Sequence, residues 1–392
     1  MDLEQNISRM TRRQFVTATG ALFVLDSFGP RVRVTRGQLS GKLERGPGLS
    51  RVIIDTDPGV DDALALLLAM RSPELKIEAI TAVAGNVPLE LTLPNALRMV
   101  EIAGRSEIPV AAGAKAPLLR RLVTATYVHG ENGLGGAAFP EPRTTAVAEP
   151  AAELIRSIVK KYPGEVTLIT IGPLTNVAAA LQSDSELAGR VRRIVMMGGS
   201  LSGGNITPAA EFNIYVDPEA ARIVFQSGMP VTMVGLDVTR RTALTEEHVR
   251  ALEAGRGGVS QAAAALARNA IEQHRRAGFA ARPNMHDPLA VAAFLDSSLL
   301  KWKDYYVDVE TRGELTAGET LGYSPRTGGS EQRSATEKQF PNLLIRGSAP
   351  TLASSESSSV LRDKFVPNAK VAVDVDSARF FDMLIGRLSG KQ

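Results

Sequence analysis

The chain has 392 residues, 44% of them hydrophobic, enough to bury a large core in one to three domains. Its 45 basic residues stand against 42 acidic ones, and a net charge of only +3 gives no electrostatic case for nucleic acid. There are no cysteines, which excludes disulfides, thiolate metal sites and cysteine nucleophiles.

The first fifty residues differ in character from the rest. Ser8-Arg9-Met10-Thr11-Arg12-Arg13-Gln14-Phe15-Val16 is similar to a twin-arginine export signal, with an apolar residue after the arginine pair. The apolar run Val16–Leu25 that follows suits a signal peptide and is too short for a membrane span of about 20 residues. Asp26 follows at once and no A-x-A cleavage site precedes the basic stretch Arg31–Arg45, which fits a basic leader on a cytoplasmic protein instead. The expectation is export to the periplasm or another extracytoplasmic space, without stable membrane insertion. Residues 1–50 are set apart from the fold, and 51–392 are read as a single domain.

From Arg51 onward short apolar runs alternate with helical segments. Val52-Ile53-Ile54 is β-branched and reads as a buried strand, with a helix from Ala63 to Met70. Strands are expected at Lys76–Val83, Ile108–Ala112, Val166–Ile171, Arg193–Met197 and Val231–Gly235. Helices are expected at Pro94–Ala103, Pro150–Lys161, from Asn176, and at Pro218–Gln226, with a loop over Leu118–Thr145. Glu246–Ala254, Ser260–Ala277 and Val291–Leu295 read as helix, Val307–Thr311 and the Thr316–Leu321 region as late strands. A Ser/Gly-rich excursion runs over about residues 324–366, and strand and helix return at Val371–Val375 and Ala378–Leu388. Such alternation makes βαβ units, hence an α/β fold with a mostly parallel sheet and helices on both faces. In open sheets of this kind ligands sit outside the carboxyl ends of the strands. Asp55, Asp57, Asn86, Ile171 and the stretch Met197–Asn205 all fall just after predicted strands.

The first strand leads into Asp55-Thr56-Asp57-Pro58-Gly59-Val60-Asp61-Asp62, four carboxylates in one turn. One or two would serve a helix N-terminus. Four repel one another, and a hard divalent cation bound through oxygen removes that cost.

This octapeptide resembles the signature of the inosine–uridine-preferring nucleoside hydrolase family. Gly172-Pro173-Leu174-Thr175-Asn176, Met197-Gly198-Gly199, Glu211-Phe212-Asn213-Ile214-Tyr215-Val216-Asp217-Pro218-Glu219-Ala220 and His286-Asp287-Pro288 resemble further family motifs in the same order. The similarity runs from about Arg51 to Leu388, leaving out the Ser-rich excursion. It implies an open Rossmann-like fold and a glycosidase that hydrolyses the N-glycosidic bond of ribonucleosides to ribose and free base, in nucleoside catabolism or purine and pyrimidine salvage. The substrate is a small nucleoside, and a homodimer or homotetramer is expected.

The resemblance also implies roles. Ca²⁺ is held by Asp57, Asp62, Asp287 and the backbone carbonyl of Ile171, where the family often has Thr, and it activates a water. Asp57 is the general base and His286 the proton donor to the leaving base, an imidazole near its natural pKa. Asp61, Asn213 and Asp287 contact the ribose hydroxyls, Asn205 and Glu211 the 5′-hydroxyl, and Asn86 another part of the sugar. Asp55 orients the first loop, His129 lines the base pocket, and Met197 packs under the ribose. Asn86 and Asn205 also fit plain turn positions, and Met197 fits a core position equally well. His248 and His274, on predicted helices without a motif, are expected at the surface.

Two other functions fit parts of the sequence. An aspartyl-phosphate phosphatase also begins with a strand and Asp-x-Asp, with Asp55 as nucleophile. It leaves the His-Asp-Pro and Glu-Phe-Asn segments unexplained. An exported nucleoside- or ribose-binding protein without turnover would keep the same pocket.

Overall fold

The computed structural model describes residues 49–324 and 365–390. The expected twin-arginine leader and all but the ends of the 324–366 excursion lie outside the described residues. In chain order the elements begin β1 (Ser50–Thr56), α1 (Val60–Met70), β2 (Leu75–Ala82), α2 (Leu89–Ile102), β3 (Val110–Ala112) and α3 (Thr126–His129). Next come α4 (Ala151–Lys161), β4 (Thr167–Thr170), α5 (Thr175–Ser183), α6 (Leu187–Arg190), β5 (Arg193–Met197), α7 (Phe212–Val216), α8 (Pro218–Gln226) and β6 (Val231–Val234). The last group is α9 (Leu236–Thr239), α10 (Glu246–Glu253), α11 (Gly258–Arg276), α12 (His286–Leu295), β7 (Leu300–Val309), β8 (Thr320–Tyr323), β9 (Ala369–Val375) and α13 (Ser377–Ser389).

The described strands form one sheet in the order β3-β2-β1-β4-β5-β6-β9-β7-β8. Pairing is parallel from β3 to β9, and β7 runs antiparallel to both β9 and β8. The α/β architecture expected from sequence is therefore present. The strand order reverses between β1 and β4, and the crevice at that switch point is where open α/β sheets bind ligands.

The period-2 alternation of strand side chains builds two cores. Val52 and Ile54 join α1, α2 and α10–α13 on one face of the sheet. Ile53, between them, points to the other face, against α4, α5 and α8. Every residue of α1, which carries two of the acidic residues at its start, is buried.

Three boundaries differ from expectation for physical reasons. Helix α1 begins at Val60 rather than Ala63, because Asp61 and Asp62 occupy its first turn, where the helix dipole favours negative charge. Helix α2 begins five residues before Pro94, which sits inside it. The ladder forgoes one bond at the proline, and the buried Ala96, Leu97, Met99 and Val100 hold the helix on the core. Strand β7 starts at Leu300 rather than Val307. Its Lys301, Lys303 and Asp304 are charged because one side of this antiparallel strand faces solvent, which hides the strand from a search for apolar runs.

Candidate active site

A cavity of about 360 Å³ opens at the carboxyl ends of the central strands. Asp61, Asn86, His129, Ile171, Met197, Asn205, Glu211, Asn213, His286 and Asp287 all line it. The topology explains the convergence. Asp57 follows β1, Asn86 follows β2, Ile171 follows β4, Met197 ends β5, and Asp61 and Asp287 occupy the first turns of α1 and α12.

Asp57 is fully buried. Its Oδ2 accepts the Asn86 backbone N–H at 2.7 Å, and its Oδ1 is buried with no hydrogen-bond partner. Two glycines make room for this carboxylate. A Cβ on Gly85 would overlap Oδ2, and one on Gly172 would stand 2.6 Å from Oδ1. Asp62 is the most constrained of the group. It accepts from the Thr56 hydroxyl at 2.7 Å, the Gly59 N–H at 3.0 Å and the Asn86 side-chain amide at 2.9 Å. Asn86 therefore braces two acidic residues as well as facing the cavity, more than a turn residue does.

Oxygens of Asp61, Asp62 and Asp287 come within 4.8 Å of one another. The trio expected from sequence was Asp57, Asp62 and Asp287; in the structure Asp61 stands in the tight group in place of Asp57, whose Oδ1 is buried without a partner next to Gly172. Burial, then the charge of Asp62, holds Asp57 well above the usual carboxylate range. Burial and the charges of Asp61, Asp62 and Asp57 do the same to Asp287, while burial and Asp62 push Asp61 up to about 7. Acidic groups forced this close, one with a buried orphan oxygen, fit a hard cation with oxygen ligands. The Ile171 carbonyl lies at the same rim, accepting from the Asn213 amide at 3.2 Å.

Asp55 is not on the cavity. Its Oδ1 accepts from Thr81 at 2.5 Å and Asn176 at 2.8 Å, and burial raises its pKa to about 7. That placement fits the loop-orienting role; like Asp55, Asp57 and Asp62 are buried behind the residues that line the cavity. Glu211 caps α7, accepting from Asn213 N at 3.0 Å, Ile214 N at 3.2 Å and Gly199 N at 2.9 Å. Asn205 accepts the Phe212 N–H at 2.9 Å through Oδ1, leaving its amide nitrogen for a ligand. The Asn213 amide also reaches the Met197 carbonyl at 3.3 Å, and Met197 lines the cavity.

Three imidazoles stand around the same space. His129 Nδ1 accepts the Val60 N–H at 3.1 Å, so its proton sits on Nε2, and burial pushes its pKa down to about 3. His286 Nδ1 pairs with the Thr239 hydroxyl at 2.7 Å. Burial lowers His286 to about 4, which corrects the expectation of an imidazole near its natural pKa: the ring is neutral at pH 7. His274, expected at the surface, is instead half-buried and lines the cavity together with Tyr127, Phe279 and Arg282. None of these four was found by motif. The available signal was helical spacing, since Ala270 and His274 lie one turn apart on α11 and both face the cavity. His248 is also half-buried, stacked on Phe381 at 3.9 Å.

Among the described residues no helix is long and apolar enough to cross a membrane. A profile of the family described as inosine-uridine preferring nucleoside hydrolase matches residues 52–382. The chain is 42% identical over 339 residues to a pyrimidine-specific ribonucleoside hydrolase, RihA, of Salmonella gallinarum, covering 86% of this chain and 97% of that protein. A solved plant nucleoside hydrolase superposes with a TM-score of 0.73 at 33% identity, covering 87% of this chain and 99% of its own. A purine-preferring ribonucleoside hydrolase from Gardnerella vaginalis gives 0.72 at 32%, covering 87% and 98%.

Proposed function

The chain belongs to the inosine-uridine preferring nucleoside hydrolase family, whose members cleave N-glycosidic bonds of ribonucleosides, and on that premise we propose how this site does so. Asp57, Asp62, Asp287 and the Ile171 carbonyl would hold Ca²⁺, with Asp61 close by. The observation that carries this is the buried, unpartnered Oδ1 of Asp57 among three further buried carboxylates. When bound, Ca²⁺ supplies Lewis acidity that makes water easier to deprotonate.

The chain's own groups do the rest. Asp57 takes the proton from the attacking water as general base. Asp61, Asp287 and Asn213 accept and donate hydrogen bonds to the ribose 2′- and 3′-hydroxyls, which holds the anomeric carbon in register. The surrounding carboxylates favour the positive charge that builds on the ribose as the bond breaks. Asn205 and Glu211 take the 5′-hydroxyl. His286, neutral and tethered to Thr239 through Nδ1, donates a hydrogen bond from Nε2–H to the base as negative charge gathers on it.

Pyrimidine ribonucleosides are the proposed substrates, supported by the named specificity of the 42% identical relative. Export through the twin-arginine leader and assembly into a homodimer or homotetramer remain part of the proposal. The test is ribose release from a panel of purine and pyrimidine nucleosides, before and after chelation and with Ca²⁺ restored. Turnover unchanged in metal-free protein would overturn the metal-dependent reading.

A further inference from the structure

Besides the carboxylates the cavity is lined by His129, His274, Tyr127 and Phe279, a wall against which the base of a nucleoside with its ribose at the carboxylates would lie. That wall is tied together. Gln273 on α11 donates to the Tyr127 carbonyl at 3.3 Å, the Tyr127 and Phe279 rings stand 6.4 Å apart, and the His274 ring is 5.8 Å from Phe279. The polar atoms it offers differ in kind. His129 presents an N–H, because its Nδ1 already accepts from Val60. His274 is the reverse. Its Nδ1 faces the Ala270 carbonyl at 3.1 Å, and a carbonyl only accepts, so the proton sits on Nδ1. Nε2 keeps its lone pair, and among the described residues it has no hydrogen-bond partner.

The geometry points to His274 as the residue that reads the base, its Nε2 accepting the ring N–H of a lactam or imide base, uracil N3–H or hypoxanthine N1–H. This rests on the hydrolase reading of the same cavity. Burial lowers the His274 pKa, which keeps the ring neutral and the acceptor available at pH 7. The Arg282 side chain, at the same rim, can donate to the carbonyl that flanks such an N–H. Within the pyrimidine ribonucleosides this ranks uridine above cytidine, whose N3 meets the lone pair of Nε2 with its own.

The experiment compares kcat/KM for uridine and 3-methyluridine, and for inosine and 1-methylinosine, in wild type, His274→Phe and His274→Gln. Each ratio is read within one preparation, so a partly unfolded variant does not distort it. The wild type should favour the unmethylated nucleoside by about tenfold or more, the size expected when a buried acceptor loses its donor. His274→Phe keeps an aromatic ring, somewhat larger, without the acceptor, and the ratio should fall by about that factor. His274→Gln, whose carbonyl can accept, should restore part of it. A wild type indifferent to N-methylation, or an unchanged ratio in His274→Phe, overturns the base-reading role and leaves hydrolysis standing. A protein that binds nucleoside without releasing ribose would overturn the hydrolase reading instead, and the same ratios then serve as ratios of Kd.

Discussion

His286 Nδ1 lies 2.7 Å from the hydroxyl of Thr239, a fully buried residue at the end of α9. The contact commits one ring nitrogen and leaves the other for the departing base. Thr239→Val keeps the shape and removes the partner. Turnover of uridine should fall about tenfold, the worth of one buried hydrogen bond. p-Nitrophenyl riboside, with a leaving group that needs little help, should lose much less. Equal losses on both substrates would mean that Thr239 acts on the fold and not through His286.

Asp57→Asn preserves the shape of the side chain and abolishes the base. We expect kcat to fall by about 10²- to 10⁴-fold. Asp57 is also repelled by Asp62 and Asp61. In EDTA the variant should therefore melt no lower than wild type, although it is inactive. Asp62→Ala removes an anchor for Thr56, Gly59 and Asn86 and should lose both activity and thermal stability.

Metal removal should lower Tm. A ligand that binds only the folded state adds about 2.7 kcal/mol at a concentration of 100 times its Kd. Thermal melts against added Ca²⁺ should rise in step with its logarithm, and a flat response would count against a cation among the carboxylates.

Gly172→Ala introduces a methyl 2.6 Å from Asp57 Oδ1. The carboxylate must turn away, and activity should fall by at least about tenfold, given the geometric tolerance of catalytic groups. Gly189→Ala is the control: nothing lies near the added Cβ there. Steady-state assays on both variants decide the point.

Stability should respond to acid through Asp374, which Lys301 contacts at 2.6 Å and Arg241 also pairs. These partners hold its pKa below the ordinary 3.8. A lowered carboxylate pKa stabilises the folded state above about 3.8, and that contribution is lost as the pH falls below it. The pair faces water, so the effect is small. Asp374→Asn should lower Tm slightly at pH 7, with the difference shrinking toward pH 2.

The parts legible in sequence are those where one residue type does one local job. β-Branched runs such as Val52–Ile54 announced buried strands, and Asp-Thr-Asp-Pro-Gly-Val-Asp-Asp announced a crowded acidic turn ahead of a helix. Their order along the chain was enough for the α/β layout. Contacts between distant segments were harder to read. Nothing in the sequence shows that Asn86 braces Asp57 and Asp62, because that depends on β1 and β2 lying side by side. Nor does it show His286 at about 4, since the shift comes from burial in the assembled cavity. His274 was misplaced for the same reason: its neighbours in the last turn of α11 are polar, and its place on the cavity shows only once α11 is packed in the fold.

The acidic turn lies near the start of the described residues, and Asp287, its companion, lies more than halfway along the chain. During synthesis the first βαβ units therefore leave the ribosome before the carboxylate of Asp287 can join theirs. The centre can close only after the segment bearing α12 has emerged. A nascent chain halted before Asp287 should for that reason be inert however well its early strands have paired.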